Sequence, residues 1–256
     1  MNISVVLSII LLILMFIIGG TRGLKSFFTL IFNFFILFFM LILIALKLDP
    51  IIVTFSGCIL ISYVTLFYIN GINKKTVSSL ISVSLVILIT MLITYKIGND
   101  PKIQGFANEQ SETISYLSLY VGLNFSKIVI CQVLIGLLGA IIDVSISISS
   151  SMNEICKNDL LITQKSLFGS GMNIGKDILG TMTNTLLFAY IGGFMTLIIY
   201  FNKLHYKVAD IFNAKVFCAE VFQILCGGIG IILIIPITAF ISSKILLLKS
   251  NIKDNT

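Results

Sequence analysis

The chain is short of charge, of histidine and of paired cysteines, and each shortage removes a class of chemistry. Charged residues make up 11% of its 256 positions, against about a quarter in ordinary soluble domains. A water-soluble fold of this size could not cover its surface with so little charge. The one histidine, His205, stands in a short segment with no ligand-type neighbours at useful spacing. No Ser–His pairing, HExxH zinc motif or Walker-type phosphate loop can therefore be built. The five cysteines, Cys58, Cys131, Cys156, Cys218 and Cys226, are odd in number and form no CxxC pair. Four of them lie in or beside apolar runs, where a thiol behaves as a small hydrophobe. Neither a disulfide framework nor a thiolate metal site is expected. The residues indicate no catalytic group, no metal ligand set and no cofactor, so the expectation is a protein that is not an enzyme. The formal charge of +6 arises from Lys and Arg in short loops. A basic face interleaved with aromatics is missing, so nucleic acid is not an expected partner.

What the chain has instead is apolar length. Hydrophobic residues make up 57%, in runs of roughly 18 to 22, enough to cross a hydrocarbon core of about 30 Å. Lipid offers no partner to free backbone groups, so such runs must be helices. Continuous apolar runs, rather than alternating ones, argue against a membrane barrel. The expected fold is all-α: a polytopic transmembrane bundle of about seven helices with no soluble domain, and the lipid bilayer as its surroundings. The spans read as 3–19, 27–46, 51–69, 77–95, 128–149, 178–200 and 217–241. Residues 1–112 form a first region of four helices and a polar loop, and residues 113–256 a second region of three helices. The polar stretch 97–113 is followed by the short apolar segment 114–125, which reads as an interfacial helix, a re-entrant piece or an extension of the fifth span.

Charge order sets the expected orientation. No Lys or Arg precedes the first span, whereas Arg22 and Lys25 follow it directly, which favours an uncleaved anchor over a cleaved signal. With the N-terminus outside and the C-terminus cytoplasmic, ten of the seventeen basic residues fall on the cytoplasmic side and seven on the outer side. The bias has the sign of the positive-inside rule. A bacterial cytoplasmic membrane is the expected location.

Polar residues return in the second region. Asp143, Ser147, Ser150 and Glu154 are spaced by four, three and four, and Asn173, Asp177, Thr181 and Asn184 by four, four and three. Each spacing keeps its residues on one helix face. A carboxylate facing lipid near the centre of a span costs roughly 2.5 to 3.5 kcal/mol, so Asp143 should face the bundle interior or a wet cavity. Small residues accompany both stripes: Gly136 and Ala140 in the fifth span, and Thr185, Ala189 and Gly193 continuing from Thr181 in the sixth. Such ladders let helices approach closely. The expectation is that spans five and six pack together and that Asp143, Ser147, Ser150, Asp177, Thr181 and Asn184 line a polar path. Packing alone explains the ladders, and Asp177 can be read as a first-turn acid at a helix N-terminus.

The runs Gly139-Ala-Ile-Ile-Asp143-Val-Ser-Ile-Ser-Ile-Ser and Gly171-Met-Asn-Ile-Gly175-Lys-Asp177-Ile-Leu-Gly180-Thr-Met-Thr-Asn-Thr185-Leu resemble the YibE/F family of bacterial multi-pass membrane proteins. The short form of the chain is similar to the YibF-like members. The resemblance implies a plasma-membrane protein and a YibE-like partner subunit, with a homo-oligomer as the alternative, but no substrate and no catalytic residue. Two functions remain open: a permease or transport subunit moving a small solute or ion, and a structural or regulatory partner within a membrane complex.

Overall fold

The computed structural model describes residues 3–98, 125–159, 161–203 and 205–248. Seven helices occupy them: α1 (Ile3–Ala45), α2 (Pro50–Asn70), α3 (Lys74–Gly98), α4 (Phe125–Asn158), α5 (Gln164–Lys203), the short α6 (Val208–Asn213) and α7 (Lys215–Leu247). Each of the seven expected spans lies on one of them. The boundary at 112 and the segment 114–125, except its last residue, lie outside the described residues. Among those residues, five helices are long and apolar enough to cross a membrane: α1, α2, α3, α4 and α7.

The first two expected spans are the two arms of α1. The chain turns at Gly20, whose φ of 55° and ψ of −133° leave the helical region for one that only glycine enters at little cost. The arms then close so tightly that a Cβ on Gly23 would stand 1.8 Å from the Met15 carbonyl oxygen. Next to the α1–α2 loop, the Asp49 side chain accepts the Ile51 N–H at 3.0 Å, and Pro50 occupies the first turn. An acidic cap followed by proline is a strong helix start.

Two sets of contacts fix which helix ends share a side. At one side Lys127 Nζ meets Asp49 Oδ2 at 2.5 Å, joining the start of α4 to the α1–α2 loop. At the other, Lys74 Nζ donates to the carbonyls of Leu246 and Leu248 at 3.3 and 2.7 Å, joining the start of α3 to the end of α7. These are called the Asp49 side and the Gly71 side below. The alternation of sides is the one that the spans require.

The centre of the bundle is α3, α4 and α7. Val83, Val86 and Ile87 from α3, Leu134, Leu137, Ile141 and Ile148 from α4, and Ile231 and Ile234 from α7 are all but fully enclosed. Toward the Gly71 side the same three helices exchange hydroxyl groups. Ser78 Oγ lies 2.9 Å from Ser149 Oγ, Ser242 Oγ donates to Ser78 Oγ at 3.1 Å, and Thr238 Oγ1 donates to Ser145 Oγ at 3.1 Å. Ser149 also donates to the Lys75 carbonyl at 2.7 Å. All five side chains are at 0% exposure. Small hydroxyl residues let the three backbones approach, and each interhelical bond contributes about 0.6 kcal/mol in a membrane.

Candidate functional site

Asp143 lies sixteen residues past Lys127, about 24 Å along α4, and six before Ser149, about 9 Å from the level where α3 begins. It is therefore well inside the span, in the half nearer the Gly71 side. It is exposed on the isolated chain and shares a cavity of about 300 Å³ with Asn33, Phe34 and Leu37 of α1 and Ile61 and Thr65 of α2. In this cavity Asn33 Nδ2 donates to Thr65 Oγ1 at 2.9 Å. The Asn33 Oδ1 atom is enclosed and accepts no hydrogen bond, and among the described residues none donates to the Asp143 carboxylate. Three oxygen-bearing side chains from three helices thus line one cavity in an otherwise apolar region, and two of them keep free acceptor capacity. That donor set is oxygen-only and carries one carboxylate. It suits a proton or a small hard cation far better than a soft metal.

The expected partner stripe is elsewhere. Asp177, Thr181 and Asn184 are all exposed on α5, on a face turned away from α4. The reason lies in α5 itself. It turns Gly171, Gly175, Leu186 and Tyr190 inward, because two glycines admit large neighbours. A Cβ on Gly171 would stand 2.6 Å from Met152 Sδ, and one on Gly175 would stand 2.2 Å from Ile235 Cγ2. Asn184 lies two residues from Leu186, about 200° around the helix. The structure therefore does not bring Asp143 and Asp177 to a shared seam. Ser147 is exposed and Ser150 half-buried on α4, and neither side chain bonds to α5. The hydroxyls of Thr181 and Thr185 turn back to Ile178 O and Thr181 O at 2.9 and 2.8 Å, which is how such residues satisfy themselves in helices.

The small residues divide the same way. A Cβ on Gly136 would stand 2.0 Å from the Tyr190 hydroxyl oxygen, so that glycine marks a close approach of α4 and α5; Ala140 is half-buried nearby. Thr185, Ala189 and Gly193 are exposed, and a Cβ on Gly193 would meet nothing within 4 Å. Asn33, Thr65 and the α3 and α7 hydroxyls carried no sequence signal of their own.

A larger cavity of about 650 Å³ lies between α1 and α2, lined by residues including Phe28, Phe32, Phe35, Tyr63, Phe67 and Tyr68. It presents no ionisable group other than the two phenols, and its chemistry is that of an acyl-chain groove. The smaller cavity is the one with chemistry.

A bundle of apolar helices that buries hydroxyls between them and leaves its surface to hydrocarbon defines an integral membrane protein of the polytopic helical class. The model of the family described as YibE/F-like protein matches residues 7–247, and the chain belongs to that family. No curated protein and no solved structure matches it.

Proposed function

We propose that the protein is a permease or transport subunit that moves a small cation or a cation-coupled solute, with Asp143 as the group that binds the cation. The observation that carries this reading is the Asp143 carboxylate, deep in a span, opening with Asn33 and Thr65 on a cavity and held by no partner among the described residues. A buried-depth acid without a structural partner is costly and is kept where a pathway or proton relay uses it. Asn33 and Thr65 orient the ligand, and Ser147, one turn along α4, extends the polar line toward the Gly71 side. Asp177, Thr181 and Asn184 play no part in this path. The charge bias makes the Gly71 side cytoplasmic, in a bacterial plasma membrane, with the N-terminus outside. No chemical step is catalysed.

The test is flux in proteoliposomes with a panel of monovalent and divalent cations and pH gradients, comparing the native chain with Asp143→Asn and Asp143→Leu. Flux lost in both variants supports charge at Asp143 as the requirement. Flux lost only in Asp143→Leu assigns hydrogen bonding instead. Equal flux in all three ends the proposal.

The exposed polar face of α5 favours a second reading, in which the chain is a subunit whose role is to dock another membrane protein. That reading predicts that Asp143→Asn leaves every gradient untouched while changes on α5 alter assembly.

A further inference from the structure

The furrow between α1 and α2 joins an aromatic lining to a cationic mouth. Its volume is about 650 Å³, and Phe28, Phe32 and Phe35 of α1 line it together with Tyr63, Phe67 and Tyr68 of α2. At the same level the two helices are held together by the bond from Asn33 Nδ2 to Thr65 Oγ1 at 2.9 Å. Toward the Gly71 side the α1 face changes from aromatic to basic. Lys25 precedes Phe28 by three residues and Phe32 by seven, which keeps it on the furrow face, and Arg22 stands one turn beyond it. Both are exposed, and neither forms an ion pair with a described residue. Asp49 is the single acid in residues 1–99, and it lies on the opposite side, paired with Lys127. Gly98 and Phe125, which flank residues 99–124, also lie on that opposite side, at the far ends of α3 and α4 from the mouth. The residues after Leu248 hold one apolar side chain, Ile252, too little to fill an aromatic furrow.

We propose that the furrow binds one anionic glycerophospholipid of the leaflet at the Gly71 side, with its acyl chain along Phe28, Phe32 and Phe35 and its phosphate held by Lys25 and Arg22. Charge complementarity selects this occupant. Lys25 stands five residues, about 8 Å, past the Gly20 turn, and its flexible stem carries the ammonium to the headgroup level. The helices α1, α2 and α3 contain no acid to compete for either cation. A guanidinium presents parallel N–H donors to phosphate oxygens, and an ammonium adds a compact charge. Tyr68, three residues before Gly71, belongs to a residue type that sits at the boundary between headgroups and acyl chains. The positive-inside bias accounts for basic residues at this level, but not for the register of Lys25 with the aromatic face. A neutral lipid or an apolar protein helix would cover the aromatics and leave both cations unmet. The inference is independent of the transport reading, because the furrow shares no lining residue with the Asp143 cavity.

The chain has no tryptophan, so a single one introduced by Tyr63→Trp reports on the furrow alone. The full-length variant is reconstituted in phosphatidylcholine vesicles with increasing fractions of acyl-brominated phosphatidylglycerol or acyl-brominated phosphatidylcholine, and quenching is measured. Ile232→Trp on α7 is the control, being 57% exposed and twelve residues from Lys244, the nearest basic residue of its helix. Each basic residue near an anionic headgroup contributes about 5-fold in affinity. The expected relative binding constant of phosphatidylglycerol over phosphatidylcholine is therefore roughly 25 at Tyr63→Trp and near unity at Ile232→Trp. Lys25→Gln and Arg22→Gln should each lower it roughly 5-fold. Raised salt should lower it with both charges in place, which tests the same point where a charge variant fails to fold. Equal quenching by the two lipids at Tyr63→Trp would overturn the proposal in favour of ordinary boundary lipid. A preference that survives the loss of both charges would overturn Lys25 and Arg22 as its source. Quenching by neither lipid would assign the furrow to a protein segment and overturn the lipid as its occupant.

Discussion

Two polar regions of this bundle use the same kinds of residue to opposite ends. Between α3, α4 and α7, Ser78, Ser145, Ser149, Thr238 and Ser242 are fully enclosed and bond to one another across helices. Around Asp143, Asn33 Oδ1 accepts nothing, and the carboxylates of Asp143 and Asp177 and the amide of Asn184 bond to none of the described residues. The first region is architecture: these five hydroxyls are all bonded within the bundle, and the one buried group beside them without a partner is Ser79 Oγ. The second is open among the described residues, and an open polar group in hydrocarbon needs a partner. The difference lies in whether the acceptors are already used, which residue type alone does not reveal.

The comparison breaks most sharply at the closed region. Ser145→Leu overfills a site with no free space and leaves Thr238 without its acceptor. Overpacking costs about 1–3 kcal/mol and an orphaned buried group about 1–3 more, so the thermal midpoint in detergent should collapse. A midpoint unchanged within error would show that the seam is not packed as described. Asp143→Asn sharpens the contrast from the open side: flux should vanish while the thermal midpoint moves little, since exposed substitutions stay within about 0.5 kcal/mol. Thr65→Val is subtler. It removes the acceptor of Asn33 Nδ2 at a cost of about 0.6 kcal/mol, and should raise the cation concentration for half-maximal flux more than it lowers the maximal rate.

The smallest effect belongs to the pair at the Asp49 side. The hydrogen bond from Lys127 holds the Asp49 carboxyl below its ordinary value of 3.8, against desolvation by burial, with the Ile51 N–H assisting. Because the folded chain holds that proton less tightly than the unfolded one, the contribution is complete above the unfolded value. It is lost as pH falls through the folded value. The Asp49 side chain is 38% exposed, so the pair contributes under about 1 kcal/mol. Lys127→Ala should therefore lower stability slightly at neutral pH, less so at high salt and not at all in strong acid. A loss that persists in strong acid, with the carboxyl protonated in the folded chain as well, would assign Lys127 a packing role instead.

Most of the fold was legible because hydrocarbon permits so few structures. Each of the seven expected spans became part of a helix, and the first two meet at a break at Gly20. The site was half legible. Asp143 stood out because an acid at that depth has few structural uses, but its neighbours did not. A four-residue period places residues on one face without saying which neighbour that face meets. The rotation of α5 was decided by Gly171 and Gly175, whose missing side chains admit Met152 and Ile235, and not by its more conspicuous Asp177 and Asn184. Asn33 and Thr65 were hidden for another reason: Asn33 is a lone amide in its run and Thr65 one hydroxyl among several in the next, and only tertiary structure brings them to Asp143.

The closed seam also has a consequence for biosynthesis. Its three helices occupy residues 74–98, 125–158 and 215–247, so the last to leave the ribosome is needed by the two made earlier. Until α7 arrives, Ser145 and Ser78 have each lost a cross-helix partner and α3 and α4 present hydroxyls to lipid. A chain stalled before Lys215 would thus carry its own mark of incompleteness within the membrane. A quality-control protease that reads unpaired polar groups could distinguish it from the finished bundle.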